Sequence, residues 1–203
     1  MPKSGAPTKE KILNTAESLV LDYGFAGTSV DKVIAKAGIT KGTFFYHFKT
    51  KADLAKALIE RFHKKEQATF DQFMNRAEKL SRDPLQQFLI FIGLFEELLD
   101  QMDEPYPGCL FASYLYQSQA FDEETICFCT DVMLGWRKFC GDKIRQIIET
   151  RQPRRPVTAD SLADMFVCIL EGTLLLSKAL GDAKLAGPQL EHYRQYIELL
   201  FED

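Results

Sequence analysis

Apolar residues recur with the period of an α-helix along almost the whole 203-residue chain. The first repeat runs from Ile12 to Tyr23, with apolar side chains at positions that share one face of a helix, and Gly24 then offers a stop. No stretch alternates apolar and polar residues for long enough to predict a strand. The sequence therefore predicts an all-α fold.

Capping residues and glycines divide this pattern into separate helices. After Gly24, Thr28 and Ser29 offer capping hydroxyls for a second helix that ends at Gly38. Thr40 can cap a third short helix. A short helix, a glycine turn and another short helix are the pattern of a helix-turn-helix motif. Longer helices are predicted over residues 51–77, 84–102, 122–151, 158–180 and 187–201, with a short helix after Gly108.

The third helix, over residues 41–48, has two contrasting faces. A rotation of about 100° per residue brings Phe44 and Phe48 together, so both are expected in the core. A short surface helix that shows lysine, glycine and hydroxyl groups on its other face suits the DNA major groove, whose width admits a helix. The sequence therefore predicts a surface for double-stranded DNA. Its members are Lys41, Gly42, Thr43, Phe45, Tyr46 and His47.

The charges of the chain are unevenly distributed. Residues 1–65 contain 12 Lys and Arg against 6 Asp and Glu, whereas the remaining residues contain 13 against 23. A basic segment within a chain of net charge −4 indicates local affinity for a polyanion. The basic segment includes the third helix, which agrees with DNA as the partner.

The run ILNTAESLVLDYGFAGTSVDKVIAKAGITKGTFFYHFKTKADL resembles the DNA-binding region of TetR-family transcriptional regulators. The resemblance implies a three-helix helix-turn-helix DNA-binding domain in residues 1–50. It implies a larger helical domain in residues 51–203 that binds an effector and dimerises. It further implies a homodimer on a palindromic operator, released by a small organic effector.

The resemblance also assigns roles to individual residues. Lys41 and Gly42 are expected to approach base edges. Phe45 departs from the family pattern, in which tyrosine is frequent, so it can offer only apolar contact. Thr28 and Ser29 can cap the second helix, contact a phosphate, or do both. The residues expected on backbone phosphates are Thr43, Tyr46, His47 and Lys51.

The last two predicted helices carry more apolar surface than one core requires. The helix from Thr158 to Leu180 is apolar on more than one face, and such a helix needs two packing partners. In the TetR family the last two helices of each subunit form a four-helix dimer interface, and a thick monomeric core is the alternative. The residues expected at the interface are Met165, Ile169, Leu174, Tyr193 and Ile197.

The middle of the chain is rich in aromatic rings, methionine and hydroxyl groups, which line cavities for small organic molecules. Tyrosine, tryptophan and arginine are of most interest there, because a buried polar group must find a partner. The alternative for every one of these positions is that the side chain packs in the hydrophobic core and lines no pocket. The expected pocket residues are Cys109, Phe111, Tyr114, Tyr116, Met133, Trp136, Arg137 and Phe166.

Cys109 lies in the first turn of its predicted helix, where the helix dipole and free N–H groups stabilise a thiolate. The run from Gly108 to Leu110 resembles a subgroup of the TetR family that responds to acrylate-like or electrophilic compounds. Two interpretations stay open. Cys109 borders the effector pocket or reacts with an electrophile, or it is a buried and inert thiol.

The sequence lacks the residues that a membrane-spanning or metal-binding protein requires. The longest apolar run, Phe88 to Phe95, is far shorter than the roughly 20 residues of a membrane span, and the polar start has no apolar signal region. A cytoplasmic protein without a membrane partner is expected. Five cysteines without a disulfide or zinc spacing predict reduced thiols and no metal site, and nothing implies a cofactor.

An enzyme is the weakest of the functional alternatives. His47 has no carboxylate or nucleophile in local register, and a cysteine nucleophile at Cys109 would need a positioned base. No catalytic residue is therefore predicted. The predicted function is that of a ligand-responsive dimeric repressor, and the alternative is an architectural DNA-binding protein without an effector.

Overall fold

The computed structural model describes residues 5–202, and within them every regular element is helical. The prediction of an all-α fold is confirmed. The polar start of the chain, from which the absence of a signal region was argued, lies partly outside the described residues. The helices are α1 (Ala6–Gly27), α2 (Val30–Ala37), α3 (Lys41–His47), α4 (Lys51–Leu80), α5 (Pro84–Asp100), α6 (Leu110–Tyr116), α7 (Glu123–Thr150), α8 (Ala159–Leu180) and α9 (Ala186–Phe201), with short 3-10 turns at Ser118–Ala120 and Ala183–Leu185.

The chain forms two compact units. Unit one comprises Met1–Lys65 and Cys109–Thr130, and unit two comprises Glu66–Gly108 and Asp131–Asp203. The first half of α4 and the whole of α6 therefore group with the helix-turn-helix. This grouping by compactness differs from the functional division expected at residues 50 and 51, which stays a prediction.

Local signals position the three N-terminal helices of unit one. Gly24 has φ 71° and ψ 166°, a conformation open mainly to glycine, and it breaks α1 before its last turn. Ser29 caps α2 by accepting the backbone N–H of Lys32, and Thr40 caps α3 in the same way. Gly38 ends α2 in the left-handed conformation, with φ 61°. The predicted helix-turn-helix is present.

The core of unit one explains why α3 keeps its orientation. Phe44 is wholly buried and Phe48 almost so, and their rings lie 5.9 Å apart. The apolar face of α1, which includes Ile12 and Ala16, is buried as well. Burying a phenylalanine side chain stabilises a fold by roughly 1.5–3 kcal/mol. The inward face of α3 is therefore fixed by packing, and the outward face is left free for other contacts.

Unit two contains an aromatic core and a buried lysine that bonds to two neighbouring helices. Phe166 of α8 lies against Phe91 and Phe95 of α5, and Tyr193 of α9 donates its hydroxyl hydrogen to Leu162 O at 2.7 Å. The ammonium of Lys143 is buried and donates to Glu78 Oε1 at 2.8 Å and to Gln87 Oε1 at 2.7 Å. These bonds join α7 to α4 and α5.

Among residues 5–202, no helix is both long and apolar enough to cross a bilayer.

Candidate nucleic-acid interface

The outward face of α3 is exposed as the sequence predicts. Lys41, Gly42, Phe45 and Tyr46 are exposed, and Tyr46 shows 74% of its surface. Thr43 is half-buried, and its hydroxyl lies 2.8 Å from the Thr40 hydroxyl. A lysine, a phenol and an apolar ring therefore project from one short helix without being needed for its core.

Gly42 leaves the surface of α3 open at its start. A Cβ at this position would meet no atom nearer than Thr40 Oγ1 at 3.9 Å, so packing within the chain does not require a glycine here. A glycine costs roughly 0.5–1 kcal/mol relative to alanine inside a helix. A glycine with this cost and no internal purpose agrees with the expectation that the backbone approaches a large partner closely.

His47 ends α3 and lies beside the start of α1. Its ring meets the Tyr46 ring edge to face, with centroids 5.0 Å apart, and a Cβ on Gly5 would lie 3.1 Å from His47 Cε1. His47 is half-buried and Tyr46 is not. Tyr46 is thus the more accessible of the two predicted phosphate contacts.

The two hydroxyl residues before α2 have different surroundings. Thr28 is buried, and its hydroxyl donates to Gly24 O at 2.9 Å. Ser29 is exposed, and its Oγ accepts from Lys32 N at 3.2 Å as the N-cap. Thr28 therefore has little surface to offer a phosphate, whereas Ser29 lies at the open N-terminus of α2, where backbone N–H groups favour an anion.

Lys51 is more constrained than its sequence position suggests. Its ammonium donates to Phe25 O at 2.7 Å and lies 4.1 Å from the centroid of the Phe25 ring. Partial burial lowers the pKa of Lys51 from its ordinary value. The ammonium therefore ties the start of α4 to the end of α1, a structural role beside the predicted phosphate contact.

Sequence reasoning did not single out the lysines of α2. Lys32 and Lys36 are exposed, and Lys32 lies 5.7 Å from the ring of Tyr23 while donating to Gly27 O at 2.8 Å. The excess of basic residues in the first 65 positions was the only signal for them. Lys32 adds positive charge near the N-terminus of α2, and Lys36 adds it in the last turn.

The predicted effector residues fall into both units, four in each. In unit one, Phe111 and Tyr114 are wholly buried, whereas Tyr116 is 88% exposed and so lines no enclosed space of that unit. Cys109 is half-buried and is the N-cap of α6, where its Sγ accepts the N–H of Ala112 at 3.5 Å.

The four pocket candidates of unit two also have different surroundings. Trp136 is buried, with its ring stacked 6.0 Å from that of Phe70, and Phe166 is wholly buried. Met133 is half-buried. Arg137 forms a two-pronged pair with Asp164, at 2.6 and 2.9 Å, on a partly exposed surface. Packing and a surface ion pair account for three of these four residues.

A cleft of about 620 Å³ in unit two contains none of the predicted residues. Within it Arg151 pairs with Asp83 at 2.8 Å. Among residues 5–202, no group of three or more His, Cys, Asp or Glu side chains is placed to hold a metal ion. The cleft is lined by Asp83, Pro84, Thr150, Arg151, Gln152 and Phe201.

The predicted dimer residues lie mostly on the inner side of α8 and α9. Tyr193 and Ile197 are essentially inaccessible, Leu174 is 7% exposed, and Met165 and Ile169 are half-buried. The sequence pattern shows that α8 has apolar residues on two faces. It does not show which of the two faces packs in the core of the same chain. The large exposed apolar residues on these helices are instead Leu175, Leu176, Leu180, Tyr196 and Leu199.

Glu66 is a half-buried titratable group that sequence reasoning missed. Burial and, to a smaller extent, the nearby charge of Glu171 raise its pKa, a hydrogen bond with Tyr106 acts in the opposite direction, and the net result is a pKa of about 7. No sequence signal marks such a residue, since an isolated glutamate on a helix is ordinarily solvated.

Comparison with known proteins defines the class of this fold and surface. Residues 12–58 match the sequence profile of bacterial regulatory proteins of the tetR family. The match supports a TetR-family transcriptional regulator, with this segment as its DNA-binding helix-turn-helix. The match covers α2, α3 and the adjoining parts of α1 and α4, which contain the exposed surface described above.

Individual relatives extend the similarity beyond this segment. The chain is 23% identical over 172 residues to the HTH-type transcriptional repressor DhaR of Mycobacterium sp. strain GP1, covering 85% of this chain and 83% of that protein. It is 26% identical over 105 residues to the repressor NemR of Escherichia coli K12, about half of each chain (51% and 50%). A TetR regulator from Chloroflexus aurantiacus has the same fold, with a TM-score of 0.80 at 23% identity over 97% of both chains.

Proposed function

We propose that this protein is a dimeric repressor that binds a palindromic operator through α3 and is released by a small organic effector. The observation that supports it most directly is the exposed row of α3, in which Lys41, Gly42 and Tyr46 have no role in the core. Similarity to two proteins named as repressors supports repression over activation. The protein acts by binding rather than catalysis, in the cytoplasm.

In this proposal the two-fold symmetry of the dimer matches that of the operator. Two copies of α3 would enter successive major grooves on one side of the DNA, about 34 Å apart. The exposed leucines of α8 and α9 supply the apolar surface for the second copy, because water-exposed leucines in a row on adjacent helices are typical of protein interfaces.

The effector acts on the spacing of the two recognition helices. A ligand that binds a form with a different spacing more tightly shifts the population towards that form and lowers operator affinity. Cys109 remains the leading candidate for contact with the effector, as a pocket residue or as a thiol that reacts with an electrophile. Its position as the N-cap of α6 supports this assignment.

Selection of a duplex from a random DNA pool tests the proposal. We expect a two-fold symmetric sequence that the protein prefers over random DNA of equal length by at least about 10³-fold. Footprinting should show two protected half-sites one helical turn apart. Binding without a preferred sequence would instead favour the alternative, an architectural DNA-binding protein without an effector.

A further inference from the structure

α6 packs against the DNA-binding helices although it lies outside the helix-turn-helix in sequence. The hydroxyl of Tyr114 donates to Ala55 O on α4 at 3.1 Å, and the Tyr114 ring lies 5.7 Å from that of Phe25 on α1. Phe121 completes the cluster: its ring is stacked on that of Tyr114, with centroids 4.1 Å apart, and is tilted against that of Phe25, with centroids 4.5 Å apart. Three rings thus hold the end of α1 against α6 within unit one.

Gln117, the C-cap of α6, adds a directed contact to this packing. Its Oε1 accepts a hydrogen bond from the backbone N–H of Ala26 at 2.9 Å. Ala26 follows the break in α1 at Gly24, where the regular helical bonds are interrupted. A side chain from another helix therefore satisfies a backbone donor near the break.

Gly24 makes room for this side chain. A Cβ at Gly24 would lie 2.4 Å from Gln117 Nε2, which is closer than side chains tolerate. The positive φ of 71° also disfavours any residue with a Cβ. Glycine is thus needed here both for the backbone conformation and for the approach of Gln117.

The break lies directly before the DNA-contacting helices. Lys32 of α2 donates to Gly27 O, and Lys51 of α4 donates to Phe25 O, so α2 and α4 are both bonded to the last residues of α1, which follow the break. Because Ser29 begins α2 one residue after Thr28, the conformation of the break sets where α2 begins, and the short turn at Gly38 then sets where α3 begins.

We propose that Gln117 is a positioning residue for DNA binding, which holds the break in α1 at Gly24 and so fixes where α2 and α3 begin. Without this bond the end of α1 samples other arrangements. Apparent DNA affinity then falls in proportion to the fraction of molecules in the competent arrangement. Loss of one such hydrogen bond corresponds to a fall of about three- to tenfold.

The first experiment compares DNA affinity with thermal stability. The probe is a duplex that the wild-type protein selects from a random pool, with binding measured well below the melting temperature. Gln117→Ala should weaken binding about three- to tenfold. Gln117→Met, which keeps the length of the side chain without its acceptor, should weaken it as well. Wild-type affinity in both variants would overturn the proposal.

A destabilised control separates positioning from stability. Asp83 caps α5 in unit two by accepting the N–H of Leu85, so Asp83→Ala removes a cap without touching unit one. Asp83→Ala should lower the melting temperature and leave DNA affinity unchanged. If Asp83→Ala and Gln117→Ala reduced affinity alike, Gln117 would have only a general structural role.

A double-mutant cycle tests the contact itself. Gly24→Ala introduces both a clash with Gln117 and backbone strain, and Gln117→Ala removes the clash. The double variant should therefore be more stable than the sum of the single effects predicts. Gly181 has φ 67° and no atom within 4 Å of its Cβ position, so Gly181→Ala combined with Gln117→Ala should be additive. If the stability effects of Gly24→Ala and Gln117→Ala were also additive, the two residues would not be in contact.

Discussion

Lys41 and Lys51 flank the exposed face of α3, and their surroundings predict different contributions to DNA binding. Lys41 is exposed at the start of α3, whereas the Lys51 ammonium bonds to Phe25 O. Lys41→Ala should lower the preference for the selected duplex over random DNA by about 1–3 kcal/mol. Lys51→Ala should weaken binding to both duplexes equally and make its salt dependence shallower. Titrations at several salt concentrations distinguish these outcomes.

The structure adds a second expectation for Lys51. Because its ammonium also ties α4 to the end of α1, Lys51→Ala should lower the melting temperature, and Lys41→Ala should not. Selectivity lost in Lys51→Ala with unchanged binding to random DNA would reverse the two assignments.

The five cysteines are expected to react with a small electrophile at different rates. Burial raises the pKa of the Cys129 thiol to about 11 and that of Cys140 further, so both should be nearly inert at neutral pH. Cys127 and Cys168 are exposed but are not helix caps. Cys109 accepts a backbone N–H at the start of α6 and should be modified first by acrylamide, as followed by mass spectrometry.

The matched variant is Cys109→Ser, which keeps a capping acceptor. It should bind the selected duplex like the wild-type protein, and it should lose any release of DNA caused by acrylamide. Modification of Cys109 no faster than that of Cys140 would return it to the class of inert core thiols.

Glu66 should make stability depend on pH. Its folded pKa of about 7 lies above the ordinary value of 4.5, so the folded protein binds the proton more tightly than the unfolded chain does. Stability should therefore decrease as pH rises from about 4.5 to about 7, by up to about 3 kcal/mol. Glu66→Gln should remove this decrease and be more stable at pH 8. Urea unfolding at pH 5 and pH 8 measures it, with exposed Glu104→Gln as the control.

At the scale of elements, the buried bonds of Lys143 join α7 to α4 and α5. Lys143→Ala should lower the free energy of unfolding by about 3 kcal/mol, because it leaves the buried side chain of Gln87 without a partner for its Oε1. Lys143→Met fills the space and should cost less. Urea unfolding of both variants measures the difference. Both variants lose the hydrogen bonds and only Met restores the packing, so equal losses would mean that hydrogen bonding rather than packing matters at Lys143.

The helix boundaries were largely predictable from the sequence because local chemistry sets them. Ser29, Thr40 and Thr158 cap the helices that they were expected to cap, and Gly38 and Gly181 end theirs with positive φ. The contact between Gln117 and Ala26 joins residues 91 positions apart. No local pattern specifies such a pairing, so the structure was needed to find it.

At the scale of the whole molecule, the sequence predicted the exposed face of α3 but not the exposed face of α8. Apart from Phe45, the residues around Phe44 and Phe48 are polar or glycine, so only one face of α3 is strongly apolar. On α8, three consecutive leucines have the same hydropathy, so hydropathy cannot predict which of them is buried. They are Leu174, Leu175 and Leu176. Packing within unit two buries Leu174 and leaves Leu175 and Leu176 exposed.

This difference changes the expected test of dimerisation. Leu174→Glu would bury an unpaired carboxylate in the chain's own core, and misfolding would conceal any effect on association. Leu176 on α8 and Leu199 on α9 are 52% and 62% exposed, so glutamate at these positions is solvated in the folded monomer. They probe the interface without disturbing the core.

Leu176→Glu and Leu199→Glu should each shift the protein from dimer to monomer while keeping its helical circular dichroism and melting temperature. Each introduces a charge that association would desolvate, at a cost of several kcal/mol. Sedimentation velocity measures the mass, and affinity for the selected palindromic duplex should fall together with it, because a monomer fills one half-site. Leu98→Glu, on an exposed position of α5, is the matched control and should leave the mass unchanged. Dimers that persist in both variants of α8 and α9 would place the interface on another surface.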